Sequence, residues 1–180
     1  MTLKERKNAV MERRDTTAIL SDLCRKLINP TNDTRIYWAR EVTFDYGKNE
    51  QCRVDFMRFQ PLNNTTSGIE KGDFYCYEIK SCVADFKSKN GHNFIGDFNY
   101  YVMLEEVYRE VKDDIPYRIG VYVPELRSMT LRSIKRAVRT DRSRSVSEML
   151  LMMFRSANRD REDYRHTMML KLLGEDINNE

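Results

Sequence analysis

The 180-residue chain carries 31 Lys and Arg against 28 Asp and Glu, a formal net charge of +3, with 41% apolar and 33% charged residues. Eight Phe, ten Tyr and ten Met exclude a disordered composition, and no apolar run reaches the roughly 20 residues of a membrane helix. The length suits one domain with a C-terminal appendage, and the opening MTLKERKNAVMERRD lacks the apolar centre of a secretory signal, so a cytoplasmic chain with no membrane contact is expected.

Lys4 to Ile28 reads as a helix, because Val10, Ala18, Leu20, Leu23, Cys24 and Leu27 fall loosely at helical spacing among charges and NPTND follows as a stop. Strands are expected over Ile36 to Phe44 and Cys52 to Phe59, joined by a glycine-containing turn over Asp45 to Glu50. Pro61 to Asp73 is polar and reads as a long connection, mobile at its tip. Phe74 to Ser81 is a third strand, apolar on both faces, which predicts a sheet covered on two sides. Val83 to Lys87 is a short helical turn before the loop SKNGHNFIGD. A strand over Asn99 to Met103, a helix over Leu104 to Lys112, a strand over Tyr117 to Val123 and an edge strand over Leu131 to Val138 complete the series.

Toward the C-terminus Val146, Met149, Leu150, Met153, Phe154 and Ala157 recur three and four residues apart, and Tyr164 and Met168 continue the stripe. This is one long amphipathic helix or two, and its methionines read as core packing. Leu151 and Met152 lie off the stripe and leave a surface for self-association, so a homodimer is a candidate state. The element order predicts the α/β class: a mixed sheet flanked by helices over residues 1–140, with a C-terminal helical extension over 141–180. The four cysteines, Cys24, Cys52, Cys76 and Cys82, contain no CxxC pair and read as reduced, mostly buried thiols rather than ligands of an iron–sulfur cluster.

The third strand contains a chemical oddity. Glu78 and Lys80 are two positions apart, so on a strand they look toward the same target. On a solvated surface they would simply satisfy each other. Asp55, however, stands among Val54, Phe56 and Phe59 of the preceding strand, where a carboxylate is costly without a cation. If those strands pair, Asp55 and Glu78 converge on a hard-oxygen site for Mg²⁺ or Mn²⁺, with the Ile79 carbonyl as a third ligand and Lys80 placed to orient water or stabilise a transition state. Glu41 either completes that site or pairs with Arg40 or Arg53.

Charge along the chain is uneven. From Arg127 to Arg144 seven basic residues, Arg127, Arg132, Lys135, Arg136, Arg139, Arg142 and Arg144, accompany the single acid Asp141. The run is either a polyanion-facing side or a solvated face. Lys87 and Lys89 are candidate phosphate contacts. His92 is a phosphate contact, a proton carrier or an ordinary loop histidine, Asp85 a cap for the short helix, a partner for Lys87 or a support behind the metal ligands, and Asp97 a turn residue.

Asp55 followed by Glu78-Ile79-Lys80 on adjacent strands after an N-terminal helix resembles the signature of the PD-(D/E)xK nuclease superfamily. Over a longer span RVDFM, YEIKSCVADFKSKNGHNFIGDFNYYVMLEEVY, IPYRIGVYVPE and LRSIKRAVR resemble its MmcB-type DNA-repair branch, including phage and mobile-element forms, from about Trp38 to Arg139. Val54 stands where the superfamily has its proline, and Lys89-Asn90-Gly91-His92 where the branch has a Trp-centred segment. The resemblance implies a restriction-endonuclease-like fold and a Mg²⁺- or Mn²⁺-dependent DNA endonuclease. Asp55 and Glu78 would hold the metal, with Lys80 beside it, and Lys87, Lys89, His92, Arg132, Lys135, Arg136 and Arg139 would meet DNA. A non-catalytic DNA-binding or repair accessory module on the same fold is the alternative.

Overall fold

A computed structural model describes residues 3–49, 51–125 and 127–173, with side chains from residue 13 onward. Helix α1 (Leu3–Ile28) turns Leu20, Leu23, Cys24 and Ile28 to the interior at helical spacing. It ends where the Asn29 side chain accepts the Asp33 N–H at 2.8 Å and donates to the Asp33 carbonyl, closing the NPTND turn. Strands β1 (Tyr37–Phe44) and β2 (Cys52–Gln60) form a hairpin, and β2 runs antiparallel to β3 (Asp73–Lys80). Past β3 the sheet turns parallel: β4 (Phe98–Met103) lies beside β3 and β5 (Gly120–Glu125) beside β4, with β6 (Thr130–Lys135) returning antiparallel at the edge. The six strands therefore stand in chain order, β1 to β6, in one mixed sheet.

Helices cover both faces, as the two-sided apolar pattern of β3 predicts. On one face α1 packs on Phe56, Tyr77, Ile79 and Val102. On the other, the long helix α5 (Val146–Leu172) sets Val146, Met149 and Met153 against Ala39, Val42, Val54, Met57 and Phe74. Each fully buried side chain of this kind contributes roughly 1.5–3 kcal/mol. The helix α4 (Glu105–Val111), between β4 and β5, closes a third cluster with Phe86, Tyr101, Val107 and Val121. The C-terminal stripe is thus one continuous helix, capped by the Ser145 hydroxyl accepting the Glu148 N–H, and its first turns belong to the core.

The Pro61–Asp73 connection differs from expectation. It contains a helical turn, α2 (Thr66–Glu70), capped by the Thr65 hydroxyl accepting the Gly68 N–H at 3.1 Å. Gly68 is pressed so close to Asn63 that any Cβ there would collide, and Ile69 packs on the α5-side core. All four cysteines are free, Cys24 and Cys76 buried and Cys52 and Cys82 half-buried. Among the described residues no helix is long and apolar enough to cross a membrane.

Candidate functional site

At one end of the sheet β1 and β2 both break their alternation. Ala39 and Val42 enter the same core although three positions apart, and so do Val54 and Met57; a regular strand would send each pair to opposite faces. The switch falls on Glu41 and Asp55, which lie between the paired positions Arg40 with Phe56 and Val42 with Val54. Glu41 takes the left-handed conformation, φ +53°, sparsely populated for a residue with a side chain. Two carboxylates thus stand where both strands are locally out of register with their own pleat. From there the Asp55 carboxylate accepts the Ile79 N–H at 2.8 Å, just beyond the last β2–β3 pair, Phe56 with Tyr77.

Short helix α3 (Val83–Phe86) and the Ser88–Asn93 loop then cover the end of β3. Lys80, 2% exposed, donates its ammonium to the Asn90 carbonyl at 2.6 Å. Gly91 has φ +68°, and a Cβ on it would stand 2.8 Å from the Lys80 Nζ and 3.1 Å from the Glu78 Oε2. Only glycine accepts both that backbone and that contact. The loop is pinned by His92, whose Nε2 meets the Ser88 carbonyl and whose Nδ1 meets the Tyr101 hydroxyl, and by the Asn93 amide donating to the Arg53 carbonyl at 2.8 Å. A carbonyl only accepts, so Nε2 carries a proton.

Under this roof Glu78 is 1% exposed, and neither carboxylate oxygen has a hydrogen-bond partner of good geometry, although Asn93 lies near enough to temper its electrostatics. Burial, reinforced by the Asp55 charge and opposed by Lys80, pushes the Glu78 carboxyl up to about 9. Burial raises Asp55 as well, against the Ile79 N–H that favours its charged form. The Lys80 ammonium is lowered by burial, with Asp85, Glu78 and Asp55 opposing. A carboxyl held neutral by burial and left unpartnered is a group that gains from a cation.

These groups border a cleft of about 580 Å³ between α1 and the β1–β3 end. Asp55, Ile79, Lys80 and Glu41 line it, and Glu78 lies beneath the roofing loop beside Lys80. Glu41 pairs with the Arg53 guanidinium at 2.8 Å, and the Ile79 N–H engages Asp55. Among the described residues no three His, Cys, Asp or Glu side chains form a metal cage. Two carboxylates with Glu78 unpartnered still fit a hard divalent ion, which keeps several waters of its own.

The other expected site residues scatter. Lys89 is exposed at the cleft and Lys87 is exposed beside it, outside the lining. His92 serves as an anchor of the loop, with both ring nitrogens engaged. Arg132 pairs with Glu105 and Glu125, Lys135 donates to the Ile115 and Pro116 carbonyls, and Arg139 reaches Asp73 and Asp97; none of them, nor the exposed Arg136, lines the cleft. Asp85 accepts from the Ser81 N–H and hydroxyl and pairs with Arg13 at 2.7 Å. Asp97 is a buried hub that accepts the Phe74 N–H and pairs with Arg142, a role beyond the turn residue its loop position suggests. Sequence reading misses Arg13, Arg40 and Arg53. A signal for the first exists: Arg13, Thr17 and Ser21 repeat every four residues, a polar stripe beside the buried one, and all three line the cleft.

No protein-family model matches the chain, and no curated protein is significantly similar to it. A solved structure, a protein of unknown function from Silicibacter pomeroyi, is similar at a TM-score of 0.52 and 18% identity, covering 87% of this chain and 94% of that one. That similarity concerns the fold alone.

Proposed function

We propose that the protein is a divalent-metal-dependent phosphodiesterase acting on DNA, an endonuclease of the PD-(D/E)xK kind. The observation that carries the reading is Glu78: a carboxyl sealed beside Asp55 and Lys80, with no hydrogen-bond partner of good geometry for either oxygen and only Asn93 near enough to temper it. Such a group is destabilising unless a ligand uses it. Asp55 and Glu78 would hold Mg²⁺ or Mn²⁺. Bound there, the ion supplies a water of lowered pKa and neutralises charge on the scissile phosphate.

The chain's own part is orientation. Asp55 is fixed by the Ile79 N–H, so its remaining lone pairs stay aimed at one place. Lys80 is held by the Asn90 carbonyl and, at 3.4 Å, the Asp85 carbonyl, leaving one donor for a phosphate oxygen or an attacking water. The buried setting strengthens each of these interactions relative to water. DNA as substrate rests on the sequence resemblance, and the cations bordering the cleft agree with a phosphate ligand.

Incubation with labelled single-stranded, duplex, flapped and junction DNA, in Mg²⁺, Mn²⁺ or EDTA, tests the proposal. Metal-dependent cleavage that falls at least 100-fold in Asp55→Ala and in Lys80→Ala is the expected result. The closed state of the site favours a second reading, a non-catalytic nucleic-acid-binding module: Glu78 is roofed and Lys80 is tied to Asn90. Binding without cleavage under every condition supports that alternative.

A further inference from the structure

We infer that the cleft takes a single strand of nucleic acid, with its phosphates held by Arg13, Arg40, Arg53 and Lys89 rather than by the Arg127–Arg144 run. The inference rests on reading the site as one for phosphodiesters and adds the substrate class and its contacts.

Charge is the first argument. The cleft is lined by five cations, these four and Lys80, against three carboxylates, Glu41, Asp55 and Asp85. The excess among the lining residues is positive with all three ionised; Asp160, which pairs with Arg40, and Glu78, held neutral beneath the roof, lie outside the lining. The cations are also presented rather than consumed. Arg13 pairs with Asp85, Arg40 with Asp160 and Arg53 with Glu41, one carboxylate each among the described residues, and their side chains stay 51%, 56% and 59% exposed. Lys89 is exposed and has no ion pair among the described residues. A guanidinium braced by one carboxylate is held in place with donors still available, a ready contact for a phosphate oxygen.

Shape is the second. The cleft volume of about 580 Å³ is that of a small-ligand pocket, with room for about one or two nucleotides rather than a length of duplex. Its wall is recessed: Lys80, which lines it, is 2% exposed. A duplex is stiff over roughly 150 base pairs, so it meets such a recess as a rod and cannot bend several successive phosphates of one strand along its wall. A single strand bends at every nucleotide and can follow the cations from Arg13 on α1, past Lys89, to Arg53 and Arg40 on the hairpin. Backbone contacts of this type give affinity that falls with salt and carries no base preference.

Fluorescence anisotropy in EDTA tests this independently of cleavage, using a labelled 12-nucleotide strand and the blunt duplex of the same sequence. The single strand should bind at least tenfold tighter than the duplex. Lys89→Glu and Arg53→Gln should each weaken it about tenfold and lower the salt slope by about 0.7 for each phosphate no longer neutralised. Arg136→Glu, an equally exposed change on the basic run, should stay within twofold of wild type. Both Lys89 and Arg136 are exposed, so neither reversal disturbs the core. Equal or tighter duplex binding, no binding at all, or a loss in Arg136→Glu as large as in Lys89→Glu overturns the inference. A strand bound through Lys89 and Arg53 yet left uncut in Mg²⁺ and Mn²⁺ overturns the nuclease reading alone, whereas cleavage with a preference for duplex overturns this inference alone.

Discussion

Arg142 and Arg144 are about one-fifth exposed and each meets more than one acceptor: Arg142 joins Asp97 to the Gly72 and Glu70 carbonyls, and Arg144 joins Asp45 to Glu148. Arg132 and Arg139 are likewise doubly paired. Around the cleft Arg13, Arg40 and Arg53 each meet one carboxylate among the described residues and stay more than half exposed. Arg139 and Arg142 of the dense basic segment therefore staple the β6–α5 connection to the starts of β3 and β4, while cations dispersed over α1, β1, β2 and a loop share one recess. Adjacency in sequence measures charge density along a thread. What a ligand meets is charge density on a surface.

Asp97 offers the sharpest way to break this contrast. It is buried and accepts from the Phe74 N–H at 2.8 Å while pairing with Arg142 at 2.7 Å. Asp97→Ala leaves that backbone donor without a partner and strips a largely buried guanidinium of its carboxylate, with only the Gly72 and Glu70 carbonyls remaining to it, a loss of roughly 3–5 kcal/mol. Thermal unfolding should show a Tm lower by at least 10 °C, and below that temperature nucleic-acid affinity should be close to wild type. Arg53→Gln should do the reverse, with a Tm within 2 °C and affinity reduced about tenfold. If Asp97→Ala abolishes binding while leaving Tm intact, the basic run is a binding face.

Glu78 sharpens the same contrast through pH. Its carboxyl is neutral in the folded protein up to about 9, whereas in the unfolded chain it ionises near 4.5. The protonated group's stabilisation is complete below 4.5 and is lost as pH rises toward 9, by up to ~1.4 kcal/mol per pH unit. Glu78→Gln mimics the neutral form throughout. In EDTA the variant and wild type should unfold at similar temperatures at pH 5, and the variant should gain steadily between pH 6 and 9. A gap that does not widen with pH means that Glu78 is solvated and the roof is open in solution.

Gly91→Ala brings a methyl to 2.8 Å from the Lys80 Nζ on a backbone at φ +68°. The strain is about 1–3 kcal/mol. Because Lys80 is a flexible side chain, the loop or the ammonium yields before the fold does. A modest fall in Tm should accompany faster amide exchange over residues 88–93, whereas unchanged exchange there would show that the loop already stands away from Lys80.

Much of this was legible beforehand. All six strands and the long helices follow from periodicity, and the i, i+2 spacing of Glu78 and Lys80 with Asp55 on the neighbouring strand points to the sheet end where the structure brings them together. The simultaneous parity switch at Glu41 and Asp55 was not legible, because a positive φ on a glutamate has no compositional signature and each strand still looks regular by itself. Helix α2 was hidden because TSGIE is too short to show a period, leaving only Thr65 as a cap. Asp97 reads as a turn residue because its partners, Phe74, Arg139 and Arg142, lie more than 20 positions away.

The smallest expected effect tests how the cleft is shaped from behind. Ser156 of α5 is buried and its hydroxyl donates to the Arg40 carbonyl at 2.6 Å and the Glu41 carbonyl at 3.1 Å. Those carbonyls belong to the stretch of β1 forced out of alternation by the left-handed Glu41. Arg159, one helical turn on, hydrogen-bonds the Ser156 hydroxyl at 2.9 Å and reaches toward the same two carbonyls. Helix α5 therefore braces the irregular backbone from the face opposite α1, and Glu41 in turn holds Arg53 over the cleft. Ser156→Ala removes one hydroxyl and leaves Arg159 to serve both carbonyls, so the stability loss should be about 1 kcal/mol, a Tm shift of about 2–4 °C. Single-strand affinity should fall two- to threefold, because Arg53 loses part of its aim without losing its charge. An unchanged affinity with the full Tm shift would mean that Glu41 keeps its conformation by its pairing with Arg53 alone, and that α5 contributes to the core without shaping the site.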